Sequence, residues 1–395
     1  MPQTKTRFSA MQYYLAHARN TVHARLDVDR VVTEGEFHNL VAQVIKAAPH
    51  LLWEENLSDS THVQGWSGDV STLCHMVDAE AVDAVMAQPL NDTGVPAFRA
   101  ICAVTGDGQS QIVFQTSHAL MEGGDVSGLL RGRTSKIEER ETAEPGLSTA
   151  AQIGIWTLIP LMFALHLLTA RFEKKTRSDF GFARLSFDRA DIRRVARDLG
   201  ISQRDLAFAL VSHHRGQIPN PKKKLFTAFT SLPAKRVRLC DDEFLEVRVD
   251  DCHIPTSRDP KVYAHALAAT LGKQNRHGLF VQTWHRRLNQ VHRWLHPRAP
   301  WIYPRALFGY APYDVVMSML PPIVAGRAFT MLSGARVFAG SDTGTAESCI
   351  FAVSDTEVTV TLWSGPHRAA HVNGIAATAT AFGVRSTIEG KVGGA

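Results

Sequence analysis

The sequence predicts an α+β fold organised as two comparable halves, and three observations carry that expectation. The chain has 395 residues, enough for two to three domain-sized units at roughly 100–200 residues each. Hydrophobic residues make up 45% and charged residues 21%, the balance of a globular protein rather than of a disordered chain or a polytopic membrane protein. Strand patterns of period two and helical patterns of period 3.6 alternate in both halves, and a polar, charged stretch at residues 131–148 separates them. The first half is set at residues 1–148, an apolar connecting helix at 149–176 and the second half at 177–395.

In the first half, residues 22–28 alternate apolar and polar and predict a strand. Thr33-Glu34-Gly35-Glu36 spells a capping box, opening a helix whose Phe37, Leu40, Val41, Val44 and Ile45 share one face and which ends near Pro49. Strands are expected at residues 72–77 and 98–105, with another at 111–116 at hairpin spacing after Gly106-Asp107-Gly108; the local topology reads as antiparallel. Ser117-His118-Ala119-Leu120-Met121-Glu122-Gly123-Gly124-Asp125 follows at once, and Leu129-Leu130 then sits on a helix. A histidine is thereby placed at a strand end.

Residues 150–170, AAQIGIWTLIPLMFALHLLTA, run straight into Arg171, Lys174 and Lys175. Their length and basic flank suit a bilayer span or a membrane-surface contact. Gln152, His166 and the central Pro160 suit a buried helix between domains. In the second half, residues 188–200 and 202–214 predict helices, the latter capped by Ser202. Strands are expected at 225–232, 315–320, 349–354 and 357–363, the last two forming a hairpin about Asp355-Thr356.

The formal net charge of +5 is too small over this length to mark a nucleic-acid binder. Residues 171–238, however, carry 17 Lys/Arg against 6 Asp/Glu, so an anionic ligand or surface would meet the middle of the chain. Cys74, Cys102, Cys240, Cys252 and Cys349 show no CxxC spacing, which predicts neither a zinc site nor a disulfide framework and points to a reducing cytoplasm. The N-terminal MPQTKTRFSAMQYY has no continuous apolar core of a secretory signal.

His118 is the leading candidate for chemistry. Moving an acyl group to a hydroxyl or amine requires a base for the acceptor's proton, and an imidazole titrating near neutrality serves. Gly123 and Gly124 permit a tight turn beside it, and Glu122 reads as a carboxylate pairing with an Arg to hold that turn. Ser117 is not read as a nucleophile, because no G-x-S-x-G elbow surrounds it.

The stretch from His118 to Gly123, after a strand and before a helix, resembles the HHxxxDG motif of the chloramphenicol-acetyltransferase-like, CoA-dependent acyltransferase superfamily, in the form typical of bacterial wax ester synthase/diacylglycerol acyltransferases. The resemblance makes His118 the second His of the motif and the general base, with Glu122 at the structural Asp and Gly123 at the Gly. Gly200-Ile201-Ser202-Gln203-Arg204-Asp205 is similar to the family's Gly-x-x-x-Asn-Asp, with Asp205 retained. Val315-Val316-Met317-Ser318-Met319-Leu320-Pro321-Pro322 is similar to its strand ending in Ser-Asn-x-Pro-Gly-Pro. Gly334-Ala335 and Ser364-Gly365 continue the order. The sequence departs from the family at Ser117, which stands for the first His, at Glu122, and at Arg204 and Met319, which stand for two Asn residues.

The resemblance implies two chloramphenicol-acetyltransferase-like lobes around a central channel. It also implies direct transfer from a CoA thioester to a hydroxyl acceptor of the long-chain alcohol or diacylglycerol type, with no cofactor and no metal. Two alternatives stay open: a free-standing condensation-type enzyme taking its acyl group from an acyl-carrier protein, and a catalytically silent membrane-surface protein of the same fold. Lys222, Lys223 and Lys224, with Arg236 and Arg238, read either as donors to the phosphates of CoA or of a carrier arm, or as a solvated or membrane-facing basic patch. His213-His214 is discounted, since no acidic residue and glycine follow at the motif spacing. His285, His292 and His296 are discounted as metal ligands, lacking a third ligand or an HExxH pattern. The expected location is cytoplasmic, with peripheral contact at the inner face of the membrane.

Overall fold

A computed structural model of the chain describes residues 5–8, 10–17, 19–90, 94–121, 123–130, 180–217, 224–229, 248–253, 257–274, 315–320, 329–342, 347–365 and 367–389. It also describes scattered positions in 148–160 and residues 255, 291, 294, 298, 322 and 323. The first half runs β1 (Lys5–Arg7), α1 (Ala10–His17), β2 (Thr21–Val28), α2 (Glu34–Ala47), β3 (Glu54–Asn56), β4 (Thr61–Val63), β5 (Cys74–Asp78), α3 (Val82–Met86), β6 (Phe98–Val104), β7 (Ser110–Ser117) and α4 (Gly123–Leu130). The second runs β8 (Gly181–Asp188), α5 (Arg189–Leu199), α6 (Gln203–Gln217), β9 (Lys224–Phe229), β10 (Arg248–His253), α7 (Pro260–Gln274), β11 (Val315–Met319), β12 (Arg336–Asp342), β13 (Ser348–Val353), β14 (Glu357–Ser364), α8 (Arg368–Phe382) and β15 (Ser386–Glu389).

Local signals in the sequence set several of these elements. Thr33 Oγ1 accepts from the Glu36 N–H at 3.3 Å while Glu36 Oε2 accepts from the Thr33 N–H at 2.9 Å, the expected capping box. Phe37, Leu40, Val41, Val44 and Ile45 are buried against the sheet. Removing such a cap costs about 1 kcal/mol. Asp188 caps α5, accepting from Asp191 N–H at 2.9 Å, and Gly200 ends that helix at φ 65°, in the left-handed region that favours glycine. Ser202 Oγ accepts from Asp205 N–H at 3.0 Å and opens α6.

Among the described residues the strands form three sheets: β12-β2-β7-β6-β5, β10-β9-β11-β13-β14-β8-β15, and a small β1-β4-β3. The β6–β7 hairpin is antiparallel, as expected, but β5 runs parallel to β6, which corrects the all-antiparallel reading. The chain between β5 and β6 is occupied by α3, so the connection is a crossover rather than a hairpin. The expected strand at 72–77 likewise begins as a single 3₁₀ turn at Val70–Leu73.

The halves are not separate in space. Strand β12, from the second half of the sequence, pairs along its whole length with β2, Arg336 opposite Asp27 through Asp342 opposite Thr21. The first sheet's core therefore contains Leu320, Ile323, Phe329, Leu332 and Val337 beside Leu26, Phe37, Leu40 and Phe98. A second core packs α5, α6, α7 and α8 on the larger sheet through Phe187, Leu206, Leu210, Tyr263, Phe351 and Ile375. A third, smaller cluster holds Met86, Ile101 and Val113 of the first half against Phe182 and Trp363 of the second.

Most of residues 150–170 lie outside the described residues, as does all of 131–147. The described positions from 149 to 160 are helical, and Ile153, Trp156 and Leu158 are exposed. Among the described residues no helix is long and apolar enough to cross a membrane.

Candidate functional site

β7 carries the chain to Ser117, whose position opposite Thr21 of β2 is the last of the paired register. The Ser117 N–H donates to the Ala97 carbonyl at 2.9 Å and the His118 N–H to the Asn20 carbonyl at 2.8 Å, so the backbone is held on both sides where the strand ends. The chain then turns: Leu120 and Met121 N–H groups donate back to the Ser117 carbonyl at 3.1 and 3.3 Å. Ser117 Oγ, buried, accepts from the Ala119 N–H at 3.2 Å. The serine at the first-His position thus makes a local side-chain-to-backbone turn. Gln12 of α1 closes it from outside, its Nε2 donating to the Ala119 carbonyl at 3.2 Å.

His118 itself is half-buried. Of its two ring nitrogens only Nδ1 is sealed from solvent without a partner. Burial lowers the pKa of the ring below the usual histidine value, offset in part by its own backbone carbonyl. The imidazole is held neutral near pH 7, the form that can accept a proton.

Gly123 and Gly124 form the first turn of α4, directly after this turn, and Glu122 lies outside the described residues. Asp205 sits in the first turn of α6, nearly buried, and its Oδ1 accepts from both Nε and Nη2 of Arg204 at 2.9 and 2.8 Å. Arg204, which the sequence resemblance sets at the Asn of that motif, is thereby a partner of Asp205. Nothing described joins Asp205 to His118, so these two candidates are not brought into contact. Lys224 is the first residue of β9, opposite His253 of β10, while Lys222, Lys223 and Arg236 lie outside the described residues. His213 closes on the Arg258 carbonyl at 3.2 Å and stacks edge-on to Tyr263, a packed helix position.

Among the described residues no group of three His, Cys, Asp or Glu is arranged to hold a metal ion. Burial pushes the Cys74 and Cys102 thiols up to about 11, which disfavours thiolate nucleophiles. Sequence reasoning missed Gln12 and Asn20. Their contacts to the turn span about a hundred residues of sequence, a separation that no local pattern encodes.

No family model and no curated protein matches the sequence. Solved structures do match over nearly the whole chain. A wax ester synthase/diacylglycerol acyltransferase from Marinobacter aquaeolei VT8 is 12% identical, with a TM-score of 0.60 over 96% of this chain and 100% of that one. The cyclization-docking bidomain of the EpoB nonribosomal peptide synthetase from Sorangium cellulosum is 13% identical, TM-score 0.61, covering 96% of this chain and 84% of that one. The first condensation domain of the CDA synthetase is 10% identical, TM-score 0.57, covering 96% of both. With its two large sheets, the chain has the two-lobed α+β fold of these structures.

Proposed function

We propose that this protein transfers an acyl group from a CoA thioester to a hydroxyl acceptor of the long-chain alcohol or diacylglycerol type, with His118 as the general base. The observation that carries this reading is a neutral imidazole on a half-buried residue whose backbone is fixed at a strand end by the Asn20 carbonyl and the Ser117 turn. In the proposed reaction the acceptor O–H gives its proton to the His118 ring as its oxygen attacks the thioester carbonyl carbon. Collapse of the tetrahedral adduct breaks the C–S bond, and the imidazolium returns the proton to the departing sulfur, leaving an ester and a free thiol. No covalent enzyme intermediate is needed. The basic segment at 222–224 and Arg236 supplies the positive field for the donor's phosphates in this reading.

The fold likeness to condensation domains favours a second reading, in which the donor thioester is carried on a protein. Release of free thiol, followed with acyl-CoA donors and a panel of alcohols, diacylglycerol and amines, separates the two. His118→Ala is expected to lower turnover by about 10²-fold or more. Turnover with a loaded carrier protein but not with acyl-CoA would transfer the proposal to the second donor. A wild-type protein inert with every donor and acceptor would overturn both.

A further inference from the structure

The base is gripped at two points from one helix. α1 ends in a Schellman motif: the Arg19 N–H donates to the Ala16 carbonyl at 3.0 Å and the Asn20 N–H to the Leu15 carbonyl at 3.1 Å. Arg19 takes φ 53° there, in the left-handed region where glycine is usual. Asn20 leaves that cap with its own carbonyl on the His118 N–H at 2.8 Å, the first grip. Gln12 makes the second. It is 3% exposed, and its Nε2 donates to the Ala119 carbonyl at 3.2 Å. Tyr13, Leu15 and Ala16 are buried in one cluster with Ala119, so the helix also packs on the turn it holds. The two grips bracket the base: one fixes the N–H of His118 and the other the carbonyl of the next residue, while Ser117 Oγ holds the Ala119 N–H between them at 3.2 Å. Because each peptide unit is planar, holding successive units in place sets the direction in which the His118 Cα–Cβ bond leaves the chain. Of the two grips only that of Gln12 is made by a side chain, so a substitution can release it alone.

We propose that Gln12 is a positioning residue for His118, its hold on the Ala119 carbonyl keeping ring Nδ1 turned inward and Nε2 turned toward the acceptor. The inference rests on the acyl-transfer reading above for its effect on turnover, and on the geometry of the turn alone for its effect on the ring. Nδ1 is the nitrogen sealed from solvent. Of the two causes that set the ring's pKa, burial is the larger and lowers it, and the residue's own carbonyl opposes it. A turn released from Gln12 lets the ring swing toward water, and the pKa then rises toward the ordinary 6.5.

The test uses the full chain and two variants: Gln12→Met, of similar length but without a donor, and Gln12→Glu, which sets a carboxylate against the Ala119 carbonyl. The His118 ring is titrated by NMR of isotope-labelled histidine, its signal identified by its loss in His118→Gln, and thiol release with acyl-CoA and alcohols is followed against pH. Both variants are expected to lose about 10- to 100-fold in kcat with KM changed less than about twofold, the scale on which misplacing a reacting group by about 1 Å acts. The ring pKa should rise, and the acid limb of kcat/KM should move to higher pH with it. A glutamine that merely stabilised the fold would cost turnover and leave ring and limb unmoved; that result in a folded variant would overturn the assignment. Turnover and ring both unchanged would overturn it equally. A raised ring pKa in a protein that turns over no donor would support the positioning role and overturn the acyl-transfer reading, and an unmoved ring without turnover would overturn both. Gln12→Met, neutral and close in length, keeps the test open if Gln12→Glu fails to fold.

Discussion

Arg184 of β8 reaches Asp83 of α3 through a two-pronged contact, Nη2 to Oδ1 at 2.6 Å and Nη1 to Oδ2 at 3.2 Å, joining the two halves of the sequence. The guanidinium is buried and the carboxylate about half exposed. Burial of Asp83 favours its neutral form, but Arg184 outweighs this and holds the carboxyl below its usual pKa. The pair closes the seam where Phe182 and Trp363 pack against Met86 and Val113.

Removing one partner of such a pair strands the other. Asp83→Ala leaves the buried Arg184 without its counter-charge and is expected to cost roughly 2 kcal/mol, between the values for exposed and fully buried pairs. Urea unfolding of the variant measures it. A loss under a few tenths of a kcal/mol would show that the seam does not depend on this contact.

The close passage of β12 over β2 predicts a second sensitivity. A Cβ at Gly340 would lie 2.2 Å from His23 Cε1 and 3.0 Å from Thr361 Cγ2. Gly340→Ala should therefore destabilise by about 1–3 kcal/mol, the range for overpacking a closed core. Pairing it with His23→Ala should recover part of the loss. A double-mutant cycle with no coupling would contradict this account.

Ser117→Ala removes the acceptor of the Ala119 N–H and loosens the turn that carries His118. The expected stability loss is about 1 kcal/mol. Turnover in the thiol-release assay should fall several-fold, far less than for His118→Ala, with KM little changed. A loss as deep as that of His118→Ala would make Ser117 a participant in the chemistry.

Three histidines predict acid sensitivity. Burial, then the charge of Arg184, lowers His23 to about 3, against an opposing effect of Asp83. Burial lowers His50 and His62 to about 4. Each folded pKa lies below the unfolded value of 6.5, so the unfolded chain takes up protons that the folded chain refuses. Stability should be intact above pH 6.5 and fall as the pH drops toward 4, these three contributing up to about 4 kcal/mol per pH unit beside the share of His75 and His118, which burial also lowers. His23→Leu should remove about a third of the three-histidine contribution; an unchanged slope would remove His23 from the explanation.

Several elements were legible because their signals are local. The Thr33–Glu36 box, the Asp188 and Gly200 ends of α5, and the Asp355-Thr356 hairpin each involve residues within a few positions, where backbone geometry and side-chain reach decide the outcome. His118 at the end of β7 was legible for the same reason. The sequence by itself thus determined the helix caps, the alternating faces of the strands, and a histidine held where a strand stops. Only the tertiary structure decided that β12 joins the first sheet, that β5 runs parallel to β6, and that Gln12 and Asn20 hold the His118 turn. Those choices come from burying apolar faces and satisfying backbone groups between segments far apart in the chain, and no local spacing records which distant segment supplies the partner.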